Sequence, residues 1–363
     1  MAKNRKLLKV LVLTRAPLHI NPSQRFRFEI FLPFSTQHDI DFIIKPFFDA
    51  NSWTSLFNKG NFFNKSTNII LGLLKRCAIL PTLFKYEYVY IHRESAPVGP
   101  PILEWIMAKV FKKKLIYDFD DAIWIPTSSV VNPFAAKIKC NWKISKICSY
   151  SQIVTVGNSF LATFAKNHCE DVRIIPTIVD TENYHNRIKN QNETPIVIGW
   201  TGTFTNFYNL EIILPYLASL KKKYNFTFLI IADKNPDFKT IDYEFKKWDL
   251  NTEIDDLLKI NIGIMPLKNS DFEMGKCAFK AIQYMSLGIP AVVSAVGANK
   301  KVVDHNINGY VLENVEEWTE KLEQLLTSQQ LRTEMGLHAR KKIIADYSVN
   351  AYKKEFFTLF KKN

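Results

Sequence analysis

Short runs rich in Val, Ile and Tyr alternate with stretches of helical spacing along almost the whole chain, and they do so in two series. The first series is KVLVLT (9–14), DFIIKPF (41–47), YVYIH (88–92), KLIYDFD (114–120), QIVTVG (152–157) and VRIIPT (172–177). Between these runs, apolar residues recur at i, i+3 and i+4, as in ILEWIMAKVF (102–111) and FAAKIKCNWKISKI (134–147). Such alternation builds parallel sheets with crossover helices. A polar stretch, HNRIKNQNETP (185–195), interrupts the pattern. The second series follows: IVIGWTG (196–202), FTFLIIADK (226–234), INIGIMPL (260–267), IPAVVSAVG (289–297) and NGYVLEN (308–314). Its helical stretches are 209–224, 277–288 and 316–328. The fold class is therefore α/β, with two doubly wound Rossmann-like domains facing each other across a cleft. The first domain spans 1–185, the linker 186–195 and the second domain 196–345. Residues 346–363 read as an amphipathic C-terminal helix that returns to the first domain.

The 363 residues suffice for two ordinary domains, and 47% apolar with 23% charged residues is a globular balance, not a disordered one. No run approaches the roughly 18 uninterrupted apolar residues of a membrane span. The start, MAKNRKLLKVLVLTRA, reads as a first strand and not as a signal peptide, because its apolar stretch is short and holds Lys9. Five scattered cysteines without a CxxC pair give neither a zinc site nor a disulfide framework, and fit a reduced cytoplasmic setting. The charge of +13 is uneven: residues 1–185 hold 24 Lys and Arg against 14 Asp and Glu. The first half thus favours an anionic partner, such as a phosphorylated substrate, a nucleic acid or the inner face of a membrane, unless the charge serves solubility alone. No nucleic-acid motif accompanies it. The apolar stretch 68–84, interrupted by Lys75 and Arg76, reads as a core helix or as a helix lying on a membrane surface.

Ligands of doubly wound sheets bind outside the carboxyl ends of the strands. In the first half those ends carry Asp118, Asp120 and Asp121, then His92-Arg93-Glu94, and Arg25 and Arg27 within PSQRFRF (22–28). Three carboxylates this close raise one another's pKa unless a cation, a metal or a substrate hydroxyl offsets the repulsion. Three readings follow. An Asp-x-Asp pair can hold a divalent metal. One aspartate, best Asp121, can cap the next helix or pair with a lysine. Asp118 or Asp120 can accept a proton from a substrate hydroxyl, as can His92. Arg25, Arg27 and Arg93 are candidates for a phosphate. In the second half, Gly275 leads into a helix with Lys276 at its start and Lys280 one turn on, an arrangement that can neutralise a diphosphate together with the free N–H groups of the helix end.

The order of residues in that region, Gly275-Lys276, Lys280, Gln283-Tyr284-Met285, Gly288-Ile289-Pro290-Ala291-Val292-Val293, Gly297-Ala298-Asn299 and Asn308-Gly309, resembles the C-terminal domain of GT-B glycosyltransferases of the family 4 (group 1) type. Tyr117 through Trp124, Ile175-Pro176-Thr177 with Val179-Asp180, and Ile198-Gly199-Trp200-Thr201-Gly202 extend the resemblance in order over nearly the whole chain. It implies transfer of a sugar, with retention, from a nucleotide-sugar co-substrate to a hydroxyl of a saccharide or lipid-linked saccharide, in the synthesis of cell-surface polysaccharide. It also implies a donor site on the second domain formed by Gly202, Thr203, Gly275, Lys276, Lys280 and Gln283. The acceptor side, on the first domain, has Asp118, Asp120 and His92 as catalytic candidates. No tightly bound cofactor or divalent metal is implied. Many members carry two glutamates where Gly275 and Gln283 stand here, and an Arg and a Lys after the second-domain opening, where TGTFTNFYNL has no cation. A non-catalytic or isomerase-type nucleotide-sugar-binding protein is the alternative.

Overall fold

The computed structural model describes residues 7–56, 62–126 and 138–361. The chain forms two compact units, Met1–Thr177 with Lys353–Asn363, and Ile178–Tyr352.

The first unit is built on six parallel strands: β1 Leu8–Thr14, β2 Ile40–Pro46, β3 Tyr88–His92, β4 Lys114–Phe119, β5 Ile153–Val156 and β6 Asp171–Ile174. Their order in the sheet is β2-β1-β3-β4-β5-β6. Helices cover both faces, which is why β3 and β5 are buried throughout and read as continuous apolar runs, not alternating ones. The chain runs outward from β1 to β2 and then returns to β3 on the other side, so the switch point of the sheet lies between β1 and β3. The helix Val349–Thr358 leads into the terminal segment of this unit. Its Phe356 stacks on Phe31 with ring centroids 3.9 Å apart, and Phe360 meets Phe42 edge-on at 5.3 Å. Tyr88 donates its hydroxyl hydrogen to the Lys361 carbonyl at 2.5 Å.

The helix Phe62–Ile79, continued by a 3-10 turn at Leu80–Lys85, connects β2 to β3. The segment Phe63–Lys85 is long and apolar enough to cross a membrane, with a mean hydropathy of 1.4. A count of uninterrupted apolar residues misses it because Lys75 and Arg76 sit in its middle. The region 102–111 is an α-helix, Ile102–Trp105, widening into a π-turn at Ile106–Val110. The helix expected over 134–147 is displaced: residues 134–137 lie outside the described residues, Cys140 has a left-handed φ of 54°, and the helix runs from Lys143 to Tyr150.

The second unit repeats the plan with β7 Ile196–Gly202, β8 Phe226–Ala232, β9 Glu244–Lys247, β10 Ile262–Met265, β11 Ala291–Ser294 and β12 Gly309–Leu312. The order is β12-β11-β10-β7-β8-β9, all parallel, with the switch point between β7 and β10. Residues 209–224 are not one helix. Pro215 lacks an N–H, and the chain restarts as the helix Leu214–Lys221 after a 3-10 turn at Glu211–Ile213. The stretch 186–195, polar like a linker, lies against this unit: Lys189 donates its amide hydrogen to Leu287 at 2.8 Å, and Gln191 bonds Asn261 and Arg332. A long helix, Gln329–Asp346, packs Gly336 against Gly288 so closely that a Cβ on Gly336 would fall 2.1 Å from the Gly288 carbonyl oxygen. All five cysteines are free thiols.

Candidate active site

In the first unit, His92, Asp118 and Thr155 are paired in register across β3, β4 and β5, so their side chains leave the sheet on one face. His92 Nδ1 is 2.9 Å from Asp118 Oδ2, and Thr155 donates to Asp118 Oδ1 at 2.7 Å. The loop after β1 supplies the rest. Asn21 caps the helix Pro22–Arg27 by accepting from the Gln24 amide, with Pro22 in the first turn. That cap aims Ser23 Oγ at His92 Nε2, 3.0 Å away, and Arg27 at Asp118, whose two oxygens lie 3.0 and 3.2 Å from Arg27 Nε. Arg27 also donates to the Ile175 carbonyl at 2.5 Å.

Asp118 is 1% exposed, Arg27 2% and His92 2%. Burial pushes the Asp118 carboxyl up, but the Arg27 charge and the bonds from His92 and Arg27 outweigh it and hold the group well below the usual carboxylate range. This corrects two expectations. Asp118 does not present itself to a substrate hydroxyl; it orients His92 and Arg27. Arg27 does not present itself to a phosphate, because its guanidinium is held by Asp118 and Ile175. On its other ring nitrogen His92 meets Ser23 Oγ. Arg25 is buried with its guanidinium carbon 4.7 Å from the Phe26 ring centroid.

Asp120 and Asp121 lie beyond the strand end, where Arg93 binds both, donating to Asp120 Oδ1 at 2.8 and 3.1 Å and to Asp121 Oδ2. Arg93 has a left-handed φ of 65°, a rare conformation for a non-glycine residue. Its amide donates to the Asp118 carbonyl at 2.7 Å, which fixes that sharp turn. Burial acts to raise the Asp120 carboxyl, yet Arg93, His92, Arg27 and a bond from Ser23 lower it overall. The three aspartates thus meet arginine and histidine instead of one another, and among the described residues Asp121 pairs with Arg93, not with a lysine. Among the described residues no group of three or more His, Cys, Asp and Glu is placed to hold a metal.

Sequence reasoning missed a neighbouring cavity of ≈ 40 Å³ lined by Arg15, Arg93, Glu94, Lys139, Asn141 and Lys143, with Ile123 and Ile144. Glu94 accepts from Lys143 at 2.8 Å and faces Arg15 at 3.6 Å. Burial lowers the Lys139 ammonium, as do Arg15, Arg93 and Lys143 around it, with Glu94 opposing. The available signal was the position of Arg15 directly after β1 and of Glu94 after β3.

In the second unit, the loops after β7, β10 and β11 converge on the start of the helix Phe279–Ser286. Lys280 crosses the end of β7: a Cβ on Gly202 would lie 2.8 Å from Lys280 Cε and 2.6 Å from the Trp200 ring. Lys280 Nζ stands 5.3 Å from the Trp200 ring centroid, and Lys276 Nζ 4.9 Å from that of Phe272. Thr203 is exposed beside them, with its hydroxyl 2.8 Å from that of Thr205. Gly275 and Gln283 are buried. The helix begins two residues later than its sequence pattern indicates, because Ala278 takes a left-handed φ of 55° at its cap.

Glu273, out of register with the glutamates of the resembling family, has a structural place that sequence alone did not show. It is buried in the short helix Asp271–Met274 and accepts from Tyr208, Ser270 and Asn209, the last at 3.4 Å. Burial acts to raise its carboxyl, but these bonds and the Lys276 charge lower it overall. Asn209 in turn accepts the Lys268 amide hydrogen at 2.9 Å, so Glu273 and Asn209 tie the loop after β7 to the loop after β10. The loop after β11 closes the set. Gly297 has φ 55°, and a Cβ there would lie 2.7 Å from the Met274 carbonyl oxygen. Asn299 donates to Ser294 O at 2.9 Å, and its buried Oδ1 has no partner among the described residues.

Residues 181–342 match the family model "Glycosyl transferases group 1". Among curated proteins, spore coat protein SA of Bacillus subtilis (strain 168) is 26% identical over 82 residues, a match that covers 22% of this chain and only 22% of that protein. Solved structures match over nearly the full length. A glycosyltransferase from Rickettsia africae ESF-5 has a TM-score of 0.69 at 14% identity, covering 98% of this chain and 100% of that one. Sucrose-phosphate synthase from Thermosynechococcus elongatus has a TM-score of 0.67 at 10% identity, covering 97% and 98%. HepE from Anabaena, in complex with UDP-glucose, has a TM-score of 0.66 at 13% identity, covering 96% and 98%. The fold is that of the GT-B enzymes, with two Rossmann-like domains.

Proposed function

We propose that this chain, whose second unit belongs to the group 1 glycosyltransferases, moves a sugar from a nucleotide-sugar onto a hydroxyl of a saccharide or lipid-linked saccharide. The observation that carries this reading is the convergence of three strand-end loops, Lys276 and Lys280 on the start of the helix Phe279–Ser286, inside the unit that matches the family. A diphosphate brought there meets two ammonium groups and the positive end of a helix dipole, so the charge that a divalent cation would otherwise offset is already neutralised. The related fold of HepE was solved with UDP-glucose, a ligand of this class.

The acceptor belongs to the first unit. Asp120, with a side chain 12% exposed against 1% for Asp118, is the carboxylate to hold or deprotonate the acceptor hydroxyl. The cavity beside it, where Arg15, Lys139 and Lys143 outnumber Glu94, favours an acceptor that carries a phosphate. The reading includes retention of configuration and a role in cell-surface polysaccharide synthesis, both supported by the family resemblance alone.

A thermal-shift screen against UDP-, GDP-, ADP- and TDP-sugars, with and without Mg²⁺, tests the donor site, because a ligand that binds only the folded chain raises Tm. One nucleotide class is expected to raise Tm independently of Mg²⁺, and Lys276→Ala to abolish the shift. A shift that requires Mg²⁺, or none with any nucleotide-sugar, overturns the lysine-and-helix site. Binding without turnover on any saccharide acceptor favours a non-catalytic protein, and donor conversion without an acceptor favours an isomerase.

A further inference from the structure

The helix Phe62–Ile79 has two faces of opposite fate. Its inner face is fastened to the sheet of the first unit. Gly72 lies so close to Phe47 that a Cβ there would fall 2.3 Å from the ring. Buried Arg76 donates to the carbonyls of Thr14, Lys45 and Ser95, each at 2.8 Å, at the ends of β1 and β2 and just beyond β3. Ile69 and Leu73 pack with Phe47, Phe48 and Ala96.

The outer face is apolar and open. Phe63 is 82% exposed, Ile70 58%, Leu71 47% and Leu74 59%, and these positions share one side of the helix at spacings of three, four and seven. Phe84, on the turn that follows, is 75% exposed. The neighbouring segment from Ile102 packs Leu103 against the same Phe47 cluster and likewise exposes Ile102, Trp105 and Val110, at 58, 46 and 57%. Scattered exposed apolar residues are ordinary on a protein surface; a stripe along one helix, beside a second element that packs on the same cluster and also exposes apolar residues, marks an interaction surface.

The charges beside it identify the partner. Besides the inward-held Arg76, residues 62–85 hold Lys65, Lys75 and Lys85 and no acidic residue, and residues 102–114 hold Lys109, Lys112, Lys113 and Lys114 against one acidic residue, the buried Glu104. Aliphatic and aromatic side chains rimmed by lysines, with a tryptophan among them, match the boundary between lipid headgroups and acyl chains. We propose that the first unit docks on an anionic phospholipid bilayer through the outer face of the helix Phe62–Ile79 together with the segment 102–111. The helix lies on the bilayer and does not cross it, although its length and hydropathy suffice for a span. Crossing would tear Arg76 from three carbonyl partners and Gly72 from Phe47. The proposal is independent of the sugar-transfer reading, since vesicle binding needs no donor or acceptor.

The experiment is flotation of the full chain with vesicles of phosphatidylcholine alone and of an equimolar mixture with phosphatidylglycerol. The protein is expected to float with the mixed vesicles and to be released by salt. Ile70→Ser combined with Leu74→Ser keeps every charge and should lower the bound fraction about tenfold by removing buried apolar area. Lys109→Glu with Lys112→Glu should do the same by reversing the electrostatic attraction. Unchanged far-ultraviolet dichroism and Tm in both variants exclude unfolding as the cause. No binding to mixed vesicles at low salt overturns the proposal. So does binding that survives Ile70→Ser/Leu74→Ser, which would be adsorption by net charge alone. A concentration-dependent dimer that the same variant dissolves would make this face a contact between copies, and also overturns it.

Discussion

His92 and Asp118 stand opposite each other in register on neighbouring parallel strands, with Nδ1 2.9 Å from Oδ2. Asp118 is at the same time in register with Thr155 on the other side and is bound by Arg27 from the loop after β1. One carboxylate therefore joins three strands and a helix, and its removal leaves Arg27 as a buried, uncompensated charge.

Asp118→Asn is expected to lower unfolding free energy by about 3–5 kcal/mol, the range for breaking one partner out of a buried ion pair. The effect depends on pH with a definite sign. The folded carboxyl titrates below its unfolded value of about 3.9, so the stabilisation is fully present above that pH and is lost as pH falls toward the folded value. Urea midpoints measured from neutral pH to pH 3 should fall more steeply for the wild type than for Asp118→Asn. Parallel curves would show that the pair contributes nothing to acid sensitivity.

Asp120 differs in being reachable. Asp120→Asn is expected to reduce kcat by about 10²-fold or more, the usual worth of a positioned acid or base, with little change in donor affinity. Initial rates at saturating donor, set beside the donor-induced Tm shift, separate the two. Equal loss of both, or loss of neither, removes Asp120 from the acceptor chemistry.

The sheets were legible in the sequence because doubly wound strands are buried on both faces and read as apolar runs. β9 was not: EFKK at Glu244–Lys247 is a four-residue edge strand with its two ends exposed, so no burial demanded apolar residues there. The strand-end positions of Asp118 and His92 were visible, but their pairing was not. The partners of Asp118 lie 91, 26 and 37 residues away in Arg27, His92 and Thr155, and only the sheet order brings them together. Charge counting misled in the same way. Arg27 and Arg76 contribute to the basic excess of the first half, yet both are buried and face backbone carbonyls or a carboxylate rather than a partner. Glu273 escaped notice as a tie between two loops because Tyr208 and Asn209 lie more than sixty residues upstream.

The C-terminal segment is predicted to be part of the first unit's core. Phe356 is 1% exposed and stacks on Phe31, with Phe28, Phe42 and Tyr90 around it. Phe356→Ala should cost about 3–5 kcal/mol, as buried phenylalanines do when truncated. Denaturant unfolding followed by dichroism reads it. A loss below about 1 kcal/mol, the scale of an ordinary surface change, would mean that the terminal segment is not packed as described.

Gly297 is expected to link stability of the second unit to binding at the proposed donor site. Its φ of 55° disfavours a side chain, and a Cβ would lie 2.7 Å from the Met274 carbonyl oxygen, a backbone atom that cannot swing aside. Gly297→Ala must therefore push the loop after β11 away from Met274 and Gly275, the residues that lead into Lys276. A cost of about 1–3 kcal/mol is expected from overpacking, together with weaker nucleotide-sugar binding. Gly297→Asn separates the two causes, because asparagine tolerates the left-handed backbone while keeping the Cβ. If the close contact with Met274 dominates, both variants lose stability and donor affinity alike. Recovery in Gly297→Asn would place the cost in the backbone angle, and unchanged donor affinity in both would separate this loop from the donor site.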